Sequence, residues 1–468
     1  MSSATTTATT STGTASPVNA GGRLDRLPIS PFHYRVFWLI AAGMFFDGYD
    51  LYVGGNVLGA TLKGGFSTLA QNALFVSYTF IGMTVGSVVA GFLGDHLGRR
   101  FSYQFNLMIF GLASLAAAFA PTMDILNYLR FFMGLGLGAE IVVGYSTMTE
   151  FVPPASRGRW LSFMAFVVVA GLPVTSLLGT LIIPVFGWRP MFFIAGIGAL
   201  VVWYLRKRLP ESPRWLESHG QTEAAEALMQ SIEAEVGAGR TLPPPAPPAP
   251  IAHWPLSTLF SAALLPRMIV GSIVLITANT LIFGFVTWLP TFFVSQGLSI
   301  SKSFAYTLVI ALGSPFGCAL GAFGADAIGR RRLIIGASLA TIVFGGIYPF
   351  MAEPALVLII GFLLIVCIYI LTAVLYGVYT PELFPTEVRL RANGLCNMLG
   401  RGATIFTPFV VVSLFRGYGV RGVIALMIGL LLIQIIAVAG WGIEPTRRGL
   451  ETLAPDAAAP PATQAHQA

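Results

Sequence analysis

Apolar runs of membrane-spanning length, separated by short polar connections, fill most of the chain. They fall at about 34–61, 70–94, 101–119, 124–148, 158–183 and 189–206, then again at about 266–294, 303–325, 332–351, 354–380, 391–414 and 419–442. A helix needs about 20 apolar residues to cross a hydrocarbon core about 30 Å thick, so each run reads as one transmembrane helix. Inside lipid the backbone must satisfy its own hydrogen bonds, which a helix does within itself. The pattern predicts an all-α membrane protein with 12 transmembrane helices in two pseudo-symmetric six-helix bundles, 31–207 and 266–445. Between them, 208–265 reads as a cytoplasmic linker, with a helix-like segment over 222–236 and a proline-rich, extended run over 243–250. The tails, 1–30 and 446–468, are expected to be cytoplasmic. The first is expected to be disordered, because its Ser/Thr/Ala-rich stretch lacks the charged and apolar regions of a signal peptide.

Composition agrees: 55% of the 468 residues are hydrophobic and 10% charged, and the mean hydropathy is +0.77. A soluble protein is excluded. The net charge of +7 sits in arginine clusters on alternate connections: Arg99-Arg100, Arg157 with Arg159, Arg206-Lys207-Arg208, Arg330-Arg331-Arg332, Arg389 with Arg391, and Arg447-Arg448. That is the positive-inside signature, so these connections and both termini face the cytoplasm of a multi-pass inner (plasma) membrane protein. Nucleic acid is not an expected partner. Cys318, Cys367 and Cys396 lie in separate apolar runs, and the five histidines fall in tails or connections. No metal site, cofactor or enzymatic nucleophile–base set is expected.

The two halves repeat one another. Gly91-x-x-Gly94-Asp95-x-x-Gly98-Arg99-Arg100 ends span two, and Gly321-x-x-Gly324-Ala325-Asp326-x-x-Gly329-Arg330-Arg331 ends span eight. Glu150-x-x-Pro153-x-x-x-Arg157 follows span four, and Glu382-x-x-Pro385-x-x-x-Arg389 follows span ten. Glu211-Ser212-Pro213-Arg214 and Glu444-Pro445-Thr446-Arg447 close the halves, and all three offsets lie close to 232 residues.

On these motifs, from about Pro31 to Leu450, the chain resembles the major facilitator superfamily. Pro210-Glu211-Ser212-Pro213-Arg214-Trp215 and Pro381-Glu382-Leu383-Phe384-Pro385 are similar to its sugar-porter-like and organic-ion branches. Asp47-Gly48-Tyr49-Asp50 with Gly400-Arg401-Gly402-Ala403 looks more like its aromatic-acid and metabolite proton symporters. The basic residue usually following the loop aspartate is His96 in the first copy and Ala327 in the second. The resemblance implies alternating access of two bundles, without ATP. It also implies a cytoplasmic gate of Gly91, Asp95, Gly98, Arg99, Arg100, Glu150, Arg157, Asp326, Arg330, Glu382 and Arg389, latched when the outside is open. Static helix caps and topology signals are the other reading of the same residues.

Charges inside spans cost roughly 2.5–3.5 kcal/mol each at a bilayer centre, so they mark function or a partner. Asp47 and Asp50 lie deep in span one, Arg130 stands at compatible depth in span four, and Glu140 follows it in mid-span. Asp47, Asp50, Arg130 and Glu140 are the candidates for proton coupling, a structural ion pair being the alternative. Glu140 lies roughly 80° around the helix from Arg130, so it borders the same cavity or faces a neighbouring helix. Arg401 sits near the middle of span eleven, where a guanidinium needs an anion, and a substrate carboxylate fits its fork. Tyr49, Trp288, Asn279, Tyr376 and Tyr379 complete the candidate substrate site, though aromatic residues in spans also serve as core or interfacial belt.

The expectation is a monomeric, proton-coupled symporter importing a small organic anion, such as an aromatic or other carboxylate. A sugar or polyol porter, or a non-transporting nutrient sensor on the same fold, are the alternatives.

Overall fold

The computed structural model describes residues 18–237, 242–245, 256–262, 264–384 and 389–444. Span one is Pro31–Lys63, begun by Ser30 with Pro31 at the first helical position, where its missing N–H costs nothing. Spans two to four are Leu69–His96, Arg99–Ala118 and Met123–Phe151. Span five is built from Pro154–Val169 and Gly171–Phe186, and span six is Arg189–Leu205.

Span seven runs from Leu265–Gly284 through a tight turn, Val286–Trp288, into Leu289–Ser295. Span eight joins Ile300–Ala311 to Gly313–Ile328, and span nine is Arg330–Ile347. Span ten, Pro354–Val374, continues into a wider π-helical turn at Leu375–Tyr379, a form that often marks functional sites.

Among the described residues, eleven helical segments are long and apolar enough to cross a membrane. The last, Arg389–Trp441, has 53 residues and breaks at Gly419, whose φ of 63° and ψ of −154° only glycine adopts readily. At about 1.5 Å per residue it would be about 80 Å long if straight, well over two bilayer cores. Its two arms are spans eleven and twelve, giving the expected twelve crossings.

Small residues set the packing of spans two and four. A β-carbon at Gly138 would stand 2.0 Å from the Met83 carbonyl oxygen, and one at Gly86 would stand 1.9 Å from that of Leu135. The backbones touch, as membrane helices do when no side chain intervenes. Large apolar side chains such as Phe323, Phe406 and Val185 remain exposed around the outside, the surface lipid covers.

Two expectations need correction. The first tail is not disordered throughout: Asn19 caps a short helix, Ala20–Asp25. The linker is more than a spacer, because helices Pro213–Ser218 and Thr222–Gly237 fold against the N-half. Glu217 accepts from the Asn19 and Ala20 N–H groups at 2.7 and 2.8 Å, Arg23 pairs with Glu226 and Glu233, and Arg26 pairs with Glu233. Charge complementarity spread over 200 residues of sequence holds this layer, which no local periodicity announces. Residues 1–17, 446–468 and most of the proline-rich run lie outside the described residues.

Candidate functional site

Among the described residues the N-half buries five charged side chains in its interior: Asp47, Asp50, Arg130, Glu140 and Arg206, each no more than 2% exposed. Spans one and four supply the first four, and the turn after span six supplies Arg206. Arg130 pairs with Asp50 and not with Asp47: its Nη1 donates to Asp50 Oδ2, and its Nη2 donates to the Asp50 main-chain carbonyl at 3.0 Å. The guanidinium also lies over the Phe75 ring at 4.7 Å. A void of about 10 Å³ beside it, bounded by Phe283 and Thr287 of the other half, is about the size of one water.

Glu140 faces a neighbouring element, not Arg130. It forms an ion pair with Arg206. Arg206 is itself anchored on span one, donating to the Leu39 and Ile40 carbonyls at 2.7 Å each, and its guanidinium stands over the Tyr103 ring at 4.6 Å. Asp47 lies among these groups: the charges acting on it are Glu140, Arg206 and Asp50. Neither of its carboxyl oxygens has a hydrogen-bond partner. A buried carboxylate with no counter-charge in contact is among the most costly groups a protein can hold.

In the C-half, Arg401 is partly exposed, and Tyr376 from the π-helical turn and Tyr145 from span four stand within electrostatic reach of it. Among the described residues no carboxylate forms an ion pair with Arg401. The Asn279 side chain donates to the Leu275 carbonyl at 2.8 Å and packs against Gly400. Asn279, Tyr376 and Arg401 therefore gather, and Tyr145 brings in the opposite half.

The other candidates lie elsewhere. Tyr49 is 1% exposed and its hydroxyl donates to the Met191 carbonyl at 3.1 Å, tying span one to span six. Trp288 is buried in the outer turn of span seven, stacked with Phe292. Tyr379 points to the cytoplasmic end, its hydroxyl against Gly442 and near Arg331 and Glu444. A cavity of about 310 Å³ opens between Phe292, Tyr348, Tyr418 and Arg421 at the outer end of the C-half, lined by neither Arg401 nor the N-half carboxyls. A coupling site must meet both halves, and this one does not.

At the cytoplasmic face each half builds the same device. Gly98 (φ 93°) and Gly329 (φ 98°) turn the chain in a conformation that disfavours side chains. Arg99 pairs with Glu150 at 3.1 Å, and Arg330 pairs with Glu382 at 3.0 Å. Glu211 accepts from the Arg99 and Arg100 N–H groups at 2.9 and 3.1 Å; Glu444 accepts from those of Arg330 and Arg331 at 3.0 Å each. A carboxylate thus sits on the positive end of spans three and nine. Arg100 donates to the Lys207 carbonyl, and Arg157 reaches Asp25 at 3.6 Å. These pairs stay within their own half. Gly91 lies within span two, and the side chains of Asp95, Asp326 and Arg389 lie outside the described residues.

Sequence reasoning missed Arg206, Tyr145, Glu211 and Glu444 as site or capping residues. Arg206 heads a basic cluster and reads as a topology marker; the surplus of buried carboxyls over arginines was the signal pointing to it. Glu211 and Glu444 carried the repeat, but their target, two backbone N–H groups, leaves no trace in side-chain patterns.

The comparisons agree with this architecture. The model of the Major Facilitator Superfamily matches residues 40–408. The chain is 36% identical over 447 residues to the inner membrane metabolite transport protein YdjE of Escherichia coli K12, spanning 92% of this chain and 98% of that one. It is 31% identical over 424 residues to the niacin transporter NiaP of Acinetobacter baylyi, spanning 89% and 95%. A crystal structure of the D-xylose-proton symporter superposes with a TM-score of 0.69 over 88% of this chain and 98% of that one. At 18% identity that likeness speaks to the fold alone. With twelve crossings, duplicated cytoplasmic turns and relatives matched end to end, the chain belongs to the Major Facilitator Superfamily and is a multi-pass inner-membrane secondary transporter of small-molecule metabolites.

Proposed function

We propose that the protein imports a small organic anion, a single-ring carboxylate being the best fit, together with protons. The observation that carries the anion is Arg401, a guanidinium in mid-span that no carboxylate among the described residues pairs with, flanked by tyrosines from both halves. A substrate carboxylate there would take the bidentate hydrogen bonds that guanidinium geometry favours, and its ring would meet the tyrosine faces. Contact with both halves lets the substrate bias their relative position. The relative named for niacin, itself a ring carboxylate, points the same way. Proton coupling is supported by the buried carboxyl of Asp47, which has no hydrogen-bond partner, beside two ion pairs, Asp50–Arg130 and Glu140–Arg206.

Calorimetric titration of the purified protein with nicotinate, benzoate and xylose tests the substrate class. The ring carboxylates should bind and xylose should not. Arg401→Lys should weaken carboxylate binding about 10-fold or more, because an ammonium cannot reproduce the fork. Binding of xylose alone, or an affinity for carboxylates unchanged by Arg401→Lys, would overturn the reading.

A further inference from the structure

Three carboxyls, Asp47, Asp50 and Glu140, are buried in the interior of the N-half with two guanidiniums, Arg130 and Arg206. Uncompensated charge is not stable there, so one carboxyl in three must carry a proton. The contacts say where. Asp50 and Arg130 form a direct ion pair, reinforced by the second bond to the Asp50 carbonyl and by the Phe75 ring. That pair is neutral without a proton.

Of the remaining two carboxyls, Glu140 pairs with Arg206, and Asp47 stands within electrostatic reach of both. Gly43 lies one turn before Asp47 on the same face of span one, and a β-carbon there would stand 2.0 Å from Arg206 Nη2 and 2.7 Å from Glu140 Oε1. The missing side chain is the space the ion pair occupies. We propose that the coupling proton is shared between Asp47 and Glu140 around Arg206, one proton per transport cycle, while Asp50 stays ionised on Arg130. This rests on the proton-coupled reading above and assigns its proton to a centre distinct from the Asp50–Arg130 pair.

The chemistry balances. The O–H bond of the Asp47 carboxyl breaks and one forms on the Glu140 carboxylate; Asp47 is left as the anion and Glu140 neutral. Arg206 does not move, because two span-one carbonyls hold it, so it stabilises whichever carboxylate is charged and the net charge is unchanged. Glu140 is the member nearer the cytoplasm, and Thr147, two turns further along span four, is buried beside Tyr103 on that route.

Among the described residues no further buried carboxyl faces this centre; the buried titratable groups beside it are phenols, Tyr49 on span one and Tyr103 on span three. Of the elements packed on span one, span four contributes Arg130 and Glu140, and the turn after span six contributes Arg206. The linker helix contributes Glu235, already paired with Arg35 at 2.8 Å near the cytoplasmic surface. His33, buried on span one itself, lies 14 residues before Asp47, about 21 Å along the helix.

Infrared difference spectroscopy of the full-length protein in lipid tests this without any substrate, through the C=O stretch of protonated carboxyl groups at neutral pH. The wild type should show one buried protonated carboxyl. Asp47→Asn should abolish the band, since Glu140 then pairs alone with Arg206, and Glu140→Gln should abolish it for the mirror reason. The double variant Asp50→Asn/Arg130→Gln, which removes the other pair without stranding a charge, should keep it. Loss of the band in that double variant with retention in Asp47→Asn, or no band in the wild type, would overturn the assignment. If the band behaves as expected and an acid-outside gradient still drives no uptake, the proton centre stands and the coupling reading falls.

Discussion

Asp47 and Asp50 are three residues apart and equally buried, yet a cation meets only one of them directly. Asp50 holds a guanidinium by side chain and backbone, so Asp50→Asn leaves Arg130 charged and unpaired, a loss of about 3–5 kcal/mol. Asp47 has no hydrogen bond to lose, and Asp47→Asn should change stability by no more than about 1 kcal/mol. Thermal unfolding in detergent reads the difference directly, and equal destabilisation by the two substitutions would refute the contrast. The sequence exposed both aspartates, Arg130, Glu140 and Arg401, because a charge inside an apolar run is conspicuous. Which acid meets which arginine was not legible, since pairing depends on depth and rotation in three helices at once. For the same reason Tyr49 and Tyr379 looked like substrate contacts, when one is a strut to span six and the other lies at the cytoplasmic end.

At the scale of elements, the spans were readable from hydropathy to within a few residues and the repeat from motif spacing. The layer formed by the N-terminal helix Ala20–Asp25 and the linker helix Thr222–Gly237 was not: six residues give no periodicity, and the helix is held by ion pairs to a segment far along the chain. Its charges carry a pH signature. Hydrogen bonds from Arg23 hold Glu226 and Glu233 below the ordinary value of 4.5. A carboxyl depressed in the folded state contributes stability above its unfolded pKa and loses it as pH falls through the folded value. Hydrogen exchange in residues 20–25 should therefore stay slow at neutral pH and accelerate, after correction for intrinsic rates, as the pH drops below 4.5. Arg23→Gln should give fast exchange already at neutral pH. Protection that is the same in wild type and variant would mean that these pairs hold nothing.

Across the whole molecule, the hydrogen bonds seen between halves lie toward the side opposite the arginine loops. Lys63 donates to the Leu298 carbonyl at 3.0 Å, Ser77 to that of Ile405 at 2.7 Å, and Tyr369 to the Tyr52 hydroxyl at 3.0 Å. Phe80 meets Phe283 edge-on at 4.5 Å, and a β-carbon at Gly59 would stand 3.3 Å from that of Pro290. The outer side is closed. Alternating access requires these contacts to part in each cycle. Cysteines replacing Gly59 and Pro290 are close to the separation a disulfide needs. Oxidation of that pair should stop transport and reduction should restore it; a crosslinked protein that still transports would contradict a moving outer gate. The duplicated motifs announced two bundles, but which side is closed is set by packing between halves and could not be read from either half alone.

Joint movement of one anion and one proton has a fixed charge balance. A monovalent carboxylate with one proton carries no net charge, so its accumulation should follow the pH gradient and ignore the membrane voltage. The decisive measurement is uptake of labelled nicotinate into proteoliposomes under separately imposed pH gradients and potassium diffusion potentials, with protein-free vesicles subtracted. Acid outside should drive accumulation in the wild type and not in Asp47→Asn, with no response to voltage. Voltage-driven accumulation, or acid-driven accumulation that survives Asp47→Asn, would contradict it.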